Sequence, residues 1–165
     1  MRIAASLISE LSYESANTRK LLARVPNEHL GWKPHAKSMT LAHLASHVAE
    51  IPQYVPPTVT ANELVFDPAT YKPTICGSAA EILALHDAAV KDAEQALKSV
   101  TDAQMMENWT FRTPTETLFT MPRIAVLRSM VLSHIYHHRG QLTVYLRLKD
   151  VPLPALYGPS ADEQP

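Results

Sequence analysis

Cysteine is almost absent from the sequence, with Cys76 as its single instance among 165 residues. A disulfide within the chain is therefore impossible, and a metal cluster held by several thiolates is strongly disfavoured. Glycine is also scarce, with four residues against thirteen prolines, so we expect stiff loops between helices rather than many tight hairpins. No uncharged apolar run approaches the roughly 18 residues that a transmembrane helix needs, and no membrane partner is expected.

Charge of either sign is not in excess, with 15 Lys and Arg against 16 Asp and Glu. Nothing in this balance suggests nucleic acid or an anionic membrane as a partner. The first residues, MRIAASLISELSYES, soon reach Glu10 and lack a convincing signal-peptide cleavage site. We therefore expect a cytoplasmic protein.

Helical periodicity predicts a first helix from Ile3 to Val25, which Pro26 ends. Thr40 is a plausible N-cap for a second helix, LAHLASHVAEI, which Pro52 should end. Residues 55–77 contain four prolines and no clear period, so we expect a long irregular connection there.

A third helix should begin at the N-cap Ser78, with a glutamate three positions later, and run to about Val100. Residues 101–121 are ambiguous, and NWTFRTPTETLF could form two short extended pieces or a loop. Pro122 suits the first turn of a fourth helix that continues to about Lys149.

The tail, residues 151–165, is rich in proline and is expected to lie across the helices. We find no repeat, low-complexity region or linker that would divide the chain, so residues 1–165 should form one domain. Four helices with a long crossover between the second and third predict an all-α fold, an antiparallel four-helix bundle.

The stretch SHIYHHRGQL, residues 133–142, places three histidines in the fourth helix. At about 100° per residue, His134 and His138 fall one turn apart at the centre of an apolar stripe, while His137 falls to one side. The stripe is formed by Leu127, Val131, Leu142 and Tyr145. On the same wheel Arg139 lies on a flank, where it is expected to be salt-bridged or solvated.

Two inward-facing imidazoles allow two interpretations. They can be core residues, in which case each unpaired ring nitrogen costs on the order of 1–3 kcal/mol. Alternatively, a divalent cation binds one nitrogen of each ring, and a spacing of i, i+4 places two imidazoles on one ion. This helix alone leaves both interpretations open.

A third ligand should come from the second helix, which offers His43 and His47. His47 lies at the edge of its apolar stripe and His43 on the polar side with Glu50, so His47 is the better inward candidate. Both could instead be solvated polar residues. His86 is an isolated histidine of the third helix and is expected to be structural.

Other chemistries lack their signatures. No Glu-x-x-His pair is present, which argues against a ferritin-like di-iron site, and no HExxH, GxSxG, GxGxxG or Walker-type loop occurs. Spacing alone does not exclude a haem held by two histidines, although a c-type attachment motif is absent.

The segment SHIYHHRGQLTVYLRLKDVPLPALYGPSADE, with WKPHAKSMTLAHLASHVAEIP upstream, closely resembles the DinB-like (DinB/YfiT) superfamily. This resemblance implies a four-helix bundle, often dimeric, with a three-histidine site for nickel, zinc or a similar divalent ion. The residues that match the pattern are His47, His134 and His138. His43 and His137 fall outside it.

The resemblance also implies a function, because characterised relatives include thiol-dependent S-transferases, a thiol-using isomerase and proteins assigned as metal-dependent hydrolases. We therefore expect a divalent-metal-dependent S-transferase or hydrolase that acts on a small molecule, forms a homodimer and uses nickel or zinc, with a low-molecular-weight thiol as cofactor in the case of S-transfer. The alternative is a non-catalytic, metal-stabilised stress-response or binding protein. Three protein ligands rather than four favour the enzyme, since a structural site is usually closed by a fourth.

Overall fold

The computed structural model describes residues 2–164, which are mostly helical. The helices are α1 (Ile3–Leu22), α2 (Leu41–Glu50), α3 (Val55–Thr60), α4 (Ala79–Ser99), α5 (Asp102–Met106), α6 (Arg123–Val126) and α7 (His134–Arg147). Short 3-10 turns cover Asn27–His29 and Ile51–Tyr54, and a π-helical segment, Leu127–Ser133, joins α6 to α7. The strands are β1 (Glu63–Val65), β2 (Asn108–Arg112) and β3 (Thr117–Pro122). Within the described residues no helix is long and apolar enough to cross a membrane.

The long helices α1, α2, α4 and α7 contact one another and bury most of the apolar side chains. One cluster includes Leu11, Leu97 and Ile135, and the other includes Leu44 and Leu142. The prediction of a purely helical bundle is not confirmed, because the described residues also form a small three-stranded sheet.

The sheet has the order β1-β2-β3, with β1 parallel to β2 and β2 antiparallel to β3. Phe111 pairs with Phe119 across the hairpin. Trp109 is 1% exposed, and its indole N–H donates to the carbonyl of Pro57 at 3.2 Å, which fastens the hairpin to α3. The extended alternative for NWTFRTPTETLF is therefore confirmed.

The connection at residues 55–77 is not wholly irregular, and this prediction was wrong for its first part. Pro52 lies in the first turn of the 3-10 helix, and α3 also carries proline in its first turn. Proline is tolerated there because its missing N–H would have no partner within the helix. Arg123, 4% exposed, donates to the carbonyls of Thr58 and Ala61 at 3.0 and 3.1 Å and stabilises the C-terminal end of α3.

Both predicted N-caps are confirmed. The Thr40 hydroxyl accepts from the backbone N–H of His43 at 3.2 Å, and the Ser78 hydroxyl accepts from that of Glu81 at 3.2 Å. The Glu81 carboxylate reaches back to the N–H of Gly77 at 2.8 Å rather than to the cap residue itself. These bonds fix the start of α2, which carries His47, and of α4, which packs against it.

The last helix is not uniform, because Leu127–Ser133 is π-helical. A π turn contains one extra residue. Relative to a regular α-helix, every side chain after it is therefore rotated about the helix axis by roughly 100°, the angle between successive residues. The buried positions of α7 are therefore Ile135, Arg139, Leu142 and Leu146. The predictions that His134 and His138 lie at the centre of the stripe and Arg139 on a flank were wrong.

The tail lies across the helices, as predicted. Arg147 of α7 pairs with Asp162 at 2.5 Å, and the Tyr157 hydroxyl donates to the Glu14 carboxylate of α1 at 2.6 Å. Arg24, two residues after the end of α1, forms an ion pair with Glu163. Described residues of the tail therefore fasten α1 to α7 from outside.

Candidate metal centre

Three histidines meet between α2 and α7. His47 comes from α2, and His134 and His138 come from the first turn and a half of α7. Each offers one ring nitrogen, and these nitrogens all lie within 4.8 Å of one another. The three predicted ligands are thus brought together, whereas metal binding itself stays a prediction.

The local structure explains this convergence. His134 and His138 are four residues apart in a regular helix, so their rings lie on one face, with centroids 4.7 Å apart. The π-helical segment turns this face to the border of the buried stripe, where α2 packs against α7. His47 stands on the facing border of α2, and its ring centroid lies 4.9 Å from that of His134 and 4.7 Å from that of His138.

Two of the rings are oriented by oxygen atoms that can only accept. His47 Nδ1 lies 3.1 Å from a carboxylate oxygen of Glu50, and His134 Nδ1 lies 3.2 Å from the carbonyl oxygen of Met130. Each Nδ1 therefore carries the proton, and each Nε2 presents a lone pair. Metal-ligating histidines are commonly held in this way.

The third ring is held by a side-chain amide. His138 Nδ1 lies 2.8 Å from the amide oxygen of Gln141, and the amide nitrogen of Gln141 lies 3.1 Å from Nε2 of His137. Since the amide oxygen accepts and the amide nitrogen donates, the proton of His138 lies on Nδ1. Its Nε2 is then free to bind a cation beside His47 and His134.

The arrangement leaves two lone pairs face to face, because Nε2 of His47 and Nε2 of His134 are 3.1 Å apart. Two nitrogens bound to one tetrahedral ion at about 2.05 Å would lie about 3.3 Å apart. The observed separation therefore fits a shared divalent cation. The donor set, three neutral imidazoles, suits zinc, nickel, copper or iron and does not suit magnesium or calcium.

Burial favours the neutral, metal-binding form of two of these rings. It is the largest cause lowering the pKa of His134, and the nearby charge of His47 lowers this pKa further. Burial likewise lowers the pKa of His138 to about 4, against a hydrogen bond to Gln141 that raises it. Both rings are therefore ready to bind a cation at neutral pH without first losing a proton.

The lowered pKa of His138 predicts a loss of stability in acid. Its ordinary value is 6.5 and its folded value about 4, so the unfolded chain binds more protons between these values. The contribution is fully favourable above pH 6.5 and is lost as the pH falls toward 4. In chelator, the melting temperature of the native protein should therefore fall more steeply between pH 7 and pH 4.5 than that of His138→Gln. Parallel slopes would contradict this assignment.

The other histidines stay outside the cluster. His43 is half-buried on α2, and His137 is exposed, with its ring centroid 4.8 Å from that of His138. His86 is 1% exposed on α4, where its Nε2 lies 3.2 Å from the carbonyl oxygen of Ser15. That contact agrees with the structural role predicted for it.

Sequence reasoning missed two groups that orient the rings. Gln141 follows His138 by three residues, a spacing that places both on one helix face and could have indicated the contact. The Met130 carbonyl carried no such signal. A regular α-helix would pair it with the backbone N–H of His134, but that N–H bonds to the carbonyl of Val131 at the end of the π-helical segment.

The fold and the site together define a mostly helical protein with a candidate metal site made of three histidines. Its residues 10–142 match the DinB superfamily, and the chain belongs to that family. The resemblance seen in the sequence is thereby confirmed.

Individual relatives agree with this family. The chain is 30% identical over 157 residues to the uncharacterized protein YrdA of Bacillus subtilis (strain 168), covering 92% of this chain and 86% of that protein. A DinB-like protein of Bacillus cereus ATCC 10987 has a similar structure, with a TM-score of 0.70 at 22% identity, over 92% of this chain and 95% of that one. The DinB-like protein YjoA of Bacillus subtilis gives a TM-score of 0.69 at 19% identity, over 90% and 95%. At these identities the two structures show the fold alone.

Proposed function

We propose that this protein is a divalent-metal-dependent enzyme in which His47, His134 and His138 hold the ion. The observation that carries the proposal is the convergence of three ring nitrogens within 4.8 Å. Each ring is oriented through its other nitrogen, by Glu50, Met130 or Gln141. Three imidazoles suit nickel and zinc, and among the metals that suit this donor set the family resemblance favours these two.

The reaction we propose is a thiol-dependent S-transfer or a hydrolysis of a small molecule. A divalent ion with open positions lowers the pKa of a bound water or thiol, which supplies the nucleophile for either reaction. Three protein ligands leave such positions open. Glu50 keeps the His47 proton on Nδ1, and Gln141 does the same for His138, so these side chains fix the direction of the ligand lone pairs.

The family supports three further proposals: a homodimer, a cytoplasmic location, and an antiparallel arrangement of the four long helices. The alternative function is a non-catalytic protein that uses the metal for stability. The half-burial of all three histidines favours the enzyme, because it leaves the cluster accessible from one side.

Removal of the metal separates the two functions. Because the long helices have apolar clusters of their own, we expect chelation to abolish activity while helical content is kept. The melting temperature should fall only modestly, through loss of the ligand-binding contribution. Circular dichroism melts with and without chelator measure this, beside an assay of thiols with electrophiles and of ester and amide substrates.

The control for that experiment is re-addition of zinc or nickel, which should restore activity. A structural metal predicts another result, since α2 and α7 would lose a cross-link and the cooperative transition would disappear or move to a far lower temperature. Collapse of the helical signal in chelator would therefore favour the non-catalytic alternative.

A further inference from the structure

A cleft of about 320 Å³ opens beside the candidate metal centre, on the far side of Glu50. Its volume lies at the lower end of the roughly 300–1,000 Å³ typical of small-molecule sites. The side chains that define its chemistry are Glu50, Gln53, Tyr54, Leu64, Tyr71 and Thr74. They come from α2, the 3-10 turn after it, β1 and the following loop.

Glu50 belongs to both sites. Its side chain is 14% exposed and lines the cleft, while its carboxylate accepts from His47 Nδ1 at 3.1 Å. The other nitrogen of the same imidazole faces His134. The Glu50 carboxylate and the His47 ring therefore connect the cleft to the other histidines of the cluster.

The lining has a distinctive charge pattern. Glu50 is its one carboxylic acid, and the residues lining the cleft include no lysine, arginine or histidine. The hydrogen-bonding groups of Gln53 and Thr74 are neutral, and Leu64 adds an apolar surface. An anion entering this cleft would lose hydration. The lining offers no cation to pair with it, and the Glu50 carboxylate would repel it.

The two tyrosines act as neutral donors and acceptors. Burial is the largest cause raising the pKa of Tyr54, and Tyr71 and Glu50 raise it further. Burial and then the charge of Glu50 raise the pKa of Tyr71. Both hydroxyls therefore keep their protons at neutral pH, and their rings add aromatic surface to the cleft.

We propose that this cleft seats a non-anionic, partly apolar portion of a small organic substrate and selects against carboxylates and phosphates. That the bound molecule is a substrate rests on the function proposed above, whereas binding in the cleft does not. Selection against anions follows from the lining groups: two hydroxyls of tyrosine, one amide, one threonine hydroxyl and one carboxylate.

Two matched probes test the selection: benzamide and benzoate, titrated into ¹⁵N-labelled full-length protein in the presence of chelator. Benzamide should shift backbone amides of the cleft residues and bind at least tenfold more tightly than benzoate. Equal or tighter binding of benzoate would overturn the proposal. So would shifts that lie elsewhere on the protein, or no binding of benzamide up to its solubility limit.

A filling variant tests the location. Thr74 lines the cleft from an exposed loop, so Thr74→Trp should weaken benzamide binding at least tenfold without disturbing the fold. Ile75, 55% exposed and outside the lining, provides the matched control Ile75→Trp, which should leave binding unchanged. Equal affinity in both variants would place the probe outside this cleft and overturn the proposal.

The chelator keeps this test independent of the metal. Metal content is measured separately on protein loaded with zinc or nickel. Cleft binding without stoichiometric metal would contradict the proposed metalloenzyme and support the cleft. Stoichiometric metal without cleft binding would support the metal site and contradict the cleft.

Discussion

Replacing His134 with glutamine is expected to abolish stoichiometric metal binding. The ring is one of three whose nitrogens converge, and glutamine cannot supply a nitrogen lone pair to replace it. Two remaining imidazoles should bind zinc or nickel far more weakly, and the loss should exceed the roughly 10- to 100-fold cost of removing an outer hydrogen-bond partner. Elemental analysis of protein purified without a polyhistidine tag, followed by a competition titration, measures the change.

The chain supplies a matched control in the same helix. His137 is exposed and lies outside the convergent set, so His137→Gln should keep its metal content nearly unchanged. An intermediate result is expected for Glu50→Gln, which weakens the acceptor of the His47 proton but leaves all three imidazoles in place. The expected order of metal affinity is native and His137→Gln, then Glu50→Gln, then His134→Gln.

Two outcomes would contradict the proposed site. If His137→Gln lost the metal and His134→Gln kept it, the ion would bind on the other side of α7. If the native protein stayed substoichiometric after incubation with zinc and with nickel, the three histidines would serve another purpose.

The candidate site was predictable from sequence because its signals are local. A spacing of four residues places His134 and His138 on one helix face whatever lies around them. The position of His47 at the edge of its apolar stripe was equally visible in the pattern of α2. The second helix was chosen as the source of the third ligand on this ground, the family resemblance agreed, and the structure brings the three rings together.

The depth of the two histidines was predicted wrongly because helical wheels assume a constant rotation per residue. The π-helical segment Leu127–Ser133 breaks that assumption just before His134. Its sequence, LRSMVLS, carries no proline or glycine that would announce an irregular turn. The segment depends on packing with distant residues, so a local pattern does not reveal it.

The sheet was missed for a related reason. Its strands are three to six residues long, and β1 and β2 are held by contacts to segments far away in sequence. Glu63 of β1 pairs with Thr110 of β2, and the indole of Trp109 bonds to Pro57 of α3. Two short extended pieces were one option for NWTFRTPTETLF, but the partner strand β1 fell in a stretch interpreted as irregular.

The helical wheel also misplaced Arg139, and the true position of this residue has a consequence for stability. The wheel placed it on a flank of its helix, yet it is 3% exposed and faces α1. Its guanidinium donates to the Glu14 carboxylate at 2.6 Å and to the Thr18 hydroxyl at 3.1 Å. The Tyr157 hydroxyl shares the same carboxylate at 2.6 Å, and burial raises the pKa of Tyr157 to about 12. The buried pair of Arg139 and Glu14, with the exposed Tyr157, joins α1, α7 and the tail.

Replacing Arg139 with methionine is therefore expected to destabilise the protein by about 3–5 kcal/mol at pH 7, because Glu14 would be left buried without its cation. For a chain of this length that corresponds to a fall in melting temperature of roughly 6–20 °C. Thermal melts at pH 7 measure the loss.

Two further variants distinguish a buried charge from lost packing. The double variant Arg139→Met, Glu14→Leu removes both charges and should recover much of the lost stability, because a buried pair contributes little over apolar residues of similar size. Arg19→Met breaks the exposed pair with Asp87, whose side chains are 52% and 48% exposed, and should leave the melting temperature nearly unchanged. If the double variant were as unstable as Arg139→Met, the packing of the arginine stem would be responsible, and the charge would not.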